Sequence, residues 1–278
     1  MTRSAGRGLT ATSTYLVLGF GSILYLVPFL WMLSTSLKTQ DQVYEFPIRW
    51  IPQPIDWANF VELFTVAPFL TYTVNTIIIT VFGVFGSVVS SAAAAYGFAR
   101  FRFRGRNALF LVMLSTMMVP IWVTIVPSYV VFSEIGWIDT YLPILVPAFF
   151  AAPFNTFLLR QFFLGIPLEL DEAAKLDGAG SVRIFFTIIL PLAKPALLIV
   201  GLFSFLLYWN EYMGPLIFLQ SQDKFPLSLG ISNFVSSQSQ DFPMMMAAAM
   251  FAMIPCVLLF AVAQKQFIQG IVVTGVKG

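Results

Sequence analysis

Apolar and polar positions in this chain fall into long blocks rather than short periods. Six stretches carry the roughly 20 mostly apolar residues that cross a bilayer as a helix. They run from about 15 to 33, 71 to 98, 108 to 132, 141 to 159, 195 to 216 and 244 to 267. The pattern predicts an all-α integral membrane protein of six transmembrane helices, with a single membrane domain covering 1–278. Pro120 and Pro127 fall inside the third stretch, and Pro143, Pro147 and Pro153 inside the fourth. Kinks are expected there, tolerated where neighbours re-satisfy the freed carbonyls. Arg3 and Arg7 precede the first apolar run as in a signal peptide, but the run is long enough to span and no clear small-residue cleavage site follows. It reads as a retained helix.

Between the fourth and fifth stretches lies an elbow, 167–195, with the sequence PLELDEAAKLDGAGSVRIFFTIILPLAKP. Pro167 suits a helix start. Glu169, Asp171 and Glu172 suit the positive end of the helix dipole. Gly178 predicts a C-terminal stop, and Ser181 predicts the cap of a second short helix carrying Val182, Ile184, Phe185 and Ile188. The segment 34–70 reads as an interfacial loop with a short amphipathic piece near 59–64. The polar segment 220–243 reads as a surface for something met outside the membrane, with Gly230, Ser232 and Asn233 as tip residues.

Composition agrees with a membrane protein. The chain is 58% hydrophobic and 10% charged, with mean hydropathy +0.85, whereas a water-soluble domain carries about 25% charged residues. With no His and a single Cys, an internal disulfide is impossible and no His- or Cys-based metal site is expected. Nothing points to nucleic acid: the run Arg100, Arg102, Arg104 and Arg106 is better explained by phospholipid headgroups and topology.

Charge then sets orientation, because Lys and Arg collect on the cytoplasmic side. With both termini cytoplasmic, twelve of the 15 basic residues face inward with four of the 13 acids. Only Lys38, Arg49 and Lys224 face outward, and the elbow becomes cytoplasmic.

No ionisable residue sits mid-membrane, and only Glu211 comes near. The acidic relay of many ion-coupled carriers is therefore missing, which leaves a sodium site built from backbone carbonyls. A phosphate-binding G-x-x-x-x-G-K-[ST] loop is missing too, so the chain is not expected to hydrolyse ATP. Energy for uphill movement must come from another polypeptide, and the elbow is the obvious entry point.

Within the elbow, Glu172-Ala173-Ala174, Asp177-Gly178-Ala179, Ile188, Leu190-Pro191-Leu192 and Pro195 resemble the EAA motif of ABC importer permeases. The resemblance extends over nearly the whole chain to the MalG-like carbohydrate family. It is carried further by Ser36-Leu37-Lys38, Asn75-Thr76, Ala94-Ala95-Tyr96 with the arginines that follow, Trp209-Asn210-Glu211-Tyr212 and Gly275-Val276-Lys277-Gly278. Thr76 and Val276 stand where relatives often have Ser and Ala.

The resemblance implies a type I ABC importer permease in a bacterial or archaeal cytoplasmic membrane. It implies a MalF-like second permease subunit, two ATP-binding subunits holding ATP and Mg, and an extracytoplasmic solute-binding protein. No cofactor is expected on this chain itself. Glu172, Ala173, Ala174, Asp177, Gly178, Ile184, Phe185 and Ile188 are the expected contacts with an ATPase, although the second group could equally pack back on the permease. Lys277 and Gly278 could reach the ATPases or simply fray. Asn75, Asn155 and Asn210 are candidates to line a sugar path or to hydrogen-bond between helices. The solute is expected to be a sugar or oligosaccharide, with glycerol phosphate or another polyol as the alternative. A self-sufficient channel or secondary carrier is the rival of a different class.

Overall fold

The structure, a computed structural model, describes the backbone of residues 3–237 and 241–275 and the side chains of residues 13–236 and 241–264. Lys277 and Gly278 lie outside the described residues. All regular structure among the described residues is helical. The chain divides into two compact units, Met1–Pro68 with Ile231–Ile254, and Phe69–Gly230 with Pro255–Gly278.

In the first unit, α1 (Arg3–Ser36) contains the span Ser13–Ser36. Its Leu16, Phe20 and Tyr25 are each more than two-thirds exposed, a run that only lipid or another apolar chain can cover. The turn after α1 is tied down by α2 (Ala58–Val66), where Asn59 Nδ2 donates to the carbonyls of Ser36 (3.0 Å) and Lys38 (2.9 Å). Lys38 is buried, with its ammonium 4.6 Å above the Trp31 ring. Burial lowers the Lys38 pKa, and nearby Glu45 opposes that shift.

The second unit is built around α3 (Phe69–Arg100). At 1.5 Å per residue this 32-residue helix is about 48 Å long. Two of its glycines allow close approach: a Cβ on Gly83 would lie 2.6 Å from the Tyr208 ring, and one on Gly86 would lie 2.8 Å from Phe149. Small residues at such crossings let membrane helices pack without a hydrophobic driving force.

The third apolar stretch is not one helix. It is α4 (Arg106–Ser115), extended by a tight turn to Met118, then α5 (Ile121–Glu134), and the two meet at 98°. Pro120 explains the break, because Val119 before it is forced extended (φ −80°, ψ 115°).

The fourth stretch runs further than expected, from Leu142 to Leu164. An extended residue, Phe150, interrupts it before α6 (Pro153–Leu164). The elbow follows as α7 (Leu168–Leu176) and α8 (Ser181–Leu192).

The fifth stretch is shorter than expected. Helix α9 (Lys194–Trp209) meets α8 at 81° and stops at Trp209, not 216. The Glu211 carboxylate accepts the Gly214 N–H (2.8 Å) and opens a separate short helix, α10 (Met213–Phe218). Helix α11 (Leu227–Ser237) and α12 (Phe242–Gly275) complete the chain.

Among the described residues, four helices are long and apolar enough to span a membrane, or up to six when each bent pair counts as one span. The chain is thus a multi-pass helical membrane protein.

Candidate functional site

The elbow begins one residue later than its sequence indicates. Pro167 is the residue before the first turn (φ −55°, ψ 137°), and Glu169 and Asp171 occupy that turn. Gly178 ends α7 in the left-handed region (φ +82°). The Gly178 N–H donates to the Lys175 carbonyl (3.0 Å) and the Ala179 N–H to that of Ala174 (2.8 Å). This pair of bonds is a Schellman stop, with Ala174 and Ala179 both packed on the core as its apolar contact. The expected Ser181 cap is not made: Gly180 holds that position without a side-chain bond. The Ser181 carbonyl instead accepts the Tyr96 hydroxyl (3.1 Å). Inside α8 the Leu190 N–H reaches back five residues to the Phe185 carbonyl, giving a π-helical turn over Phe185–Ile189. Such bulges recur at functional positions.

The structure separates the two faces of the elbow. Ile184 is fully buried with Ala92, Ala95, Tyr96 and Ala193, and Phe185 and Ile188 are packed against the same cluster. These three residues, expected as candidate partner contacts, pack back on the chain's own helices, and the apolar character of α8 on this side fills the core. Exposed on the elbow are Glu172, Ala173, Asp177 and Gly178, together with Leu176 (90% exposed), Val182 (71%) and Phe186 (61%). Sequence reasoning missed those last three, because an apolar residue in a short helix reads as core until its direction is known.

A buried ion pair fixes the elbow to α3. Arg100 Nε lies 3.1 Å from Asp171 Oδ2, with the side chains only 3% and 6% exposed. Arg100 Nη2 also donates to the Ile166 carbonyl at the entrance to α7 (2.9 Å). The pair is close but poorly aligned, for among the described residues Nε makes no well-directed hydrogen bond and Asp171 Oδ1 has no hydrogen-bond donor. The sequence placed Arg100 with the topology charges and Asp171 with the helix dipole. Nothing in their spacing joined residues 71 positions apart.

Asn155 and Asn75 each have both amide hydrogens engaged. Asn155 on α6 donates to Ser87 Oγ on α3 (2.9 Å) and Ser204 Oγ on α9 (3.1 Å), and all three residues are buried. Asn75 on α3 donates to the carbonyls of Asp223 (2.8 Å) and Phe225 (3.0 Å). Asn210 is exposed and caps α9 by donating to the Leu206 carbonyl (2.8 Å). Asn155 therefore joins three helices, and Asn75 holds a loop.

That loop, 220–227, is pinned from two sides. From α3, Tyr72 Oη accepts Gln222 Nε2 (2.7 Å) and Thr76 Oγ1 accepts the Leu227 N–H (2.6 Å). From the turn before residue 142, the Asp139 carboxylate accepts the N–H groups of Gln220 and Ser221 (2.9 Å each), the Ser221 hydroxyl and Lys224 Nζ (2.7 Å). The Lys224 ammonium, with the Ser221 and Gln220 donors, holds the Asp139 carboxyl well below the usual carboxylate range. Gly230, expected at a tip, is buried: a Cβ there would sit 2.2 Å from the Tyr72 ring.

An apolar groove of about 650 Å³ runs along α3 and α9, lined by Ile77, Val81, Phe85, Leu202, Phe205 and Val262 among others. Sugar hydroxyls would find almost no hydrogen-bond partner there, whereas an apolar helix or acyl chain would fit.

The apolar spans and the elbow between them define a multi-pass membrane protein. The family model for the binding-protein-dependent transport system inner membrane component matches residues 86–273. The chain belongs to this family, the permease components of ABC importers. It is 32% identical over 260 residues to the arabinooligosaccharides transport system permease protein AraQ of Bacillus subtilis (strain 168), covering 92% of each chain. It is also 32% identical, over the full length of both, to the maltodextrin transport system permease protein MdxG of the same organism. Among solved structures it resembles a chain of a bacterial ABC transporter involved in the import of the acidic polysaccharide alginate. The TM-score is 0.82, with 26% identity and 95% and 98% of the two chains covered.

Proposed function

We propose that this chain is one of two distinct permease subunits of a sugar or oligosaccharide ABC importer in a bacterial or archaeal cytoplasmic membrane. Two ATP-binding subunits hold the ATP and Mg, and an extracytoplasmic binding protein delivers the solute. In this reading the chain crosses the membrane six times, with the bent third stretch (α4 and α5) as one crossing and α9 alone as the fifth, and with both termini and the elbow on the cytoplasmic side. The names of relatives such as AraQ and MdxG support an oligosaccharide as solute. The chain's own machinery supplies binding surface and movement, not chemistry.

One observation carries the reading. The elbow turns Glu172, Ala173, Leu176 and Asp177 away from the core while Ile184 and the Arg100–Asp171 pair anchor its other side. An exposed Leu176 beside two carboxylates is costly in water and suits a groove with basic rims on a partner. Ala173 permits close seating. ATP binding would draw the two ATPases together and carry the elbow with them. Lys277 and Gly278 are the proposed second contact with the ATPases.

The test is ATP-driven oligosaccharide uptake in proteoliposomes holding the complete importer. Glu172→Lys combined with Leu176→Asp should abolish uptake and release the ATP-binding subunits on purification. The chain itself should melt as before, since both side chains are exposed. Undiminished uptake by this double variant would refute the reading.

A further inference from the structure

We infer that Arg100 is the pivot through which displacement of the elbow reaches α3, and that α3 in turn carries it to the loop 220–227. The inference rests on the importer reading above and adds a positioning residue and a route to it.

Arg100 is the last residue of α3, and its guanidinium holds the elbow at two points, the Ile166 carbonyl and the Asp171 carboxylate. Both charged side chains are almost wholly buried. A buried ion whose partner leaves is heavily penalised, so the elbow and the end of α3 cannot part during a cycle. They can turn about one another. The spare Oδ1 of Asp171 and the misaligned Arg100 Nε leave room for a change of grip without loss of charge contact. A planar guanidinium offers a fork of donors for that exchange. The Tyr96 hydroxyl on the Ser181 carbonyl, one turn back along α3, supplies a second and weaker tie to the elbow.

The same helix is bonded to the loop 220–227 at its other end. Tyr72, Asn75 and Thr76 hold Gln222, Asp223, Phe225 and Leu227 through four hydrogen bonds. Thus α3 is the described helix that links the elbow's anchor directly to this loop. Between the two ends, Gly83 and Gly86 let the rings of Tyr208 and Phe149 close against its backbone.

The experiment uses the assembled importer in proteoliposomes and reads oligosaccharide uptake per ATP hydrolysed. Arg100→Gln and Asp171→Asn should each lower that ratio by about fivefold or more, the low end of ordinary coupling energies. Arg100→Lys, which keeps the charge and loses the fork, should fall between them and the unmodified importer. The paired variant Arg100→Leu with Asp171→Leu removes both charges and leaves none orphaned. It should assemble and be uncoupled like the single variants. An unchanged ratio in the paired variant, or failure of every variant to assemble, would show the pair to be structural and overturn the inference. Absence of ATP-dependent uptake by the unmodified complex would instead overturn the importer reading.

Discussion

Replacing Gly230 by alanine drives a methyl group into the ring of Tyr72. The new Cβ would lie 2.2 Å from Cδ2, 2.5 Å from Cε2 and 2.8 Å from Cγ, all inside ordinary van der Waals contact. Tyr72 has nowhere to retreat, being 1% exposed, edge-on to Phe69 and tethered by its hydroxyl to Gln222. Overpacking a filled site costs about 1–3 kcal/mol. Yet Gly230 lies within a helix, where alanine in open space would stabilise by about 0.5–1 kcal/mol. The two effects separate in a double-mutant cycle. Gly230→Ala should lower the melting temperature of the detergent-solubilised chain when Tyr72 is present. In a Tyr72→Ala background, already destabilised by its own cavity, the same change should be neutral or raise it. The propensity gain is common to both backgrounds and cancels, so the coupling expected is the overpacking cost itself, about 1–3 kcal/mol. Equal effects of Gly230→Ala in the two backgrounds would refute the reasoning.

Three further outcomes follow from the geometry. Asp139→Asn should destabilise by about 1–3 kcal/mol at neutral pH by weakening the Lys224, Ser221 and Gln220 bonds. Because folding lowers this carboxyl's pKa, its contribution is fully present above the unfolded value of about 4 and lost as pH falls through the folded one. The gap in melting temperature between this variant and the unmodified chain should therefore stay constant from pH 8 to 5 and close in stronger acid; a gap that widens there would contradict the assignment. Asn155→Leu severs bonds to Ser87 and Ser204 and should cost about 1–2 kcal/mol at the usual strength of interhelical bonds, with little further loss when Ser204→Ala is added. Gly178→Val should cost about 1–2 kcal/mol from backbone strain alone, since φ is +82° and no atom lies within 4 Å of the added Cβ. Thermal melts of the isolated chain check both, and for Gly178 a clash-sized loss would indicate a crowded site.

Much of the elbow was legible residue by residue because its signals are local. A glycine that must take positive φ, acids at a helix start and small residues at 173 and 174 act within one or two turns of where they stand. The stop at Gly178 needed only the backbone around it. The direction of Ile184 was not local. Its burial depends on Ala92, Ala95 and Tyr96, nearly 90 positions earlier, closing over it. Asn75 and Asn155 were recognised as polar residues in apolar helices. Which carbonyls and hydroxyls their amides meet depended on how α3, α6 and α9 approach.

The apolar blocks, read alone, determined that this is a helical membrane protein and where its spans begin, because bilayer thickness converts directly into a count of residues. Local steric rules determined where those spans could break: the kink at Pro120 and the turn at Gly178 were both in the one-dimensional text. Tertiary structure decided which buried charges meet, which face of the elbow looks outward and which loop α3 holds. Those contacts join residues 71 to 151 positions apart. Hydropathy carries no information about such pairings, since Arg100 and Asp171 score as surface residues until the fold buries them together.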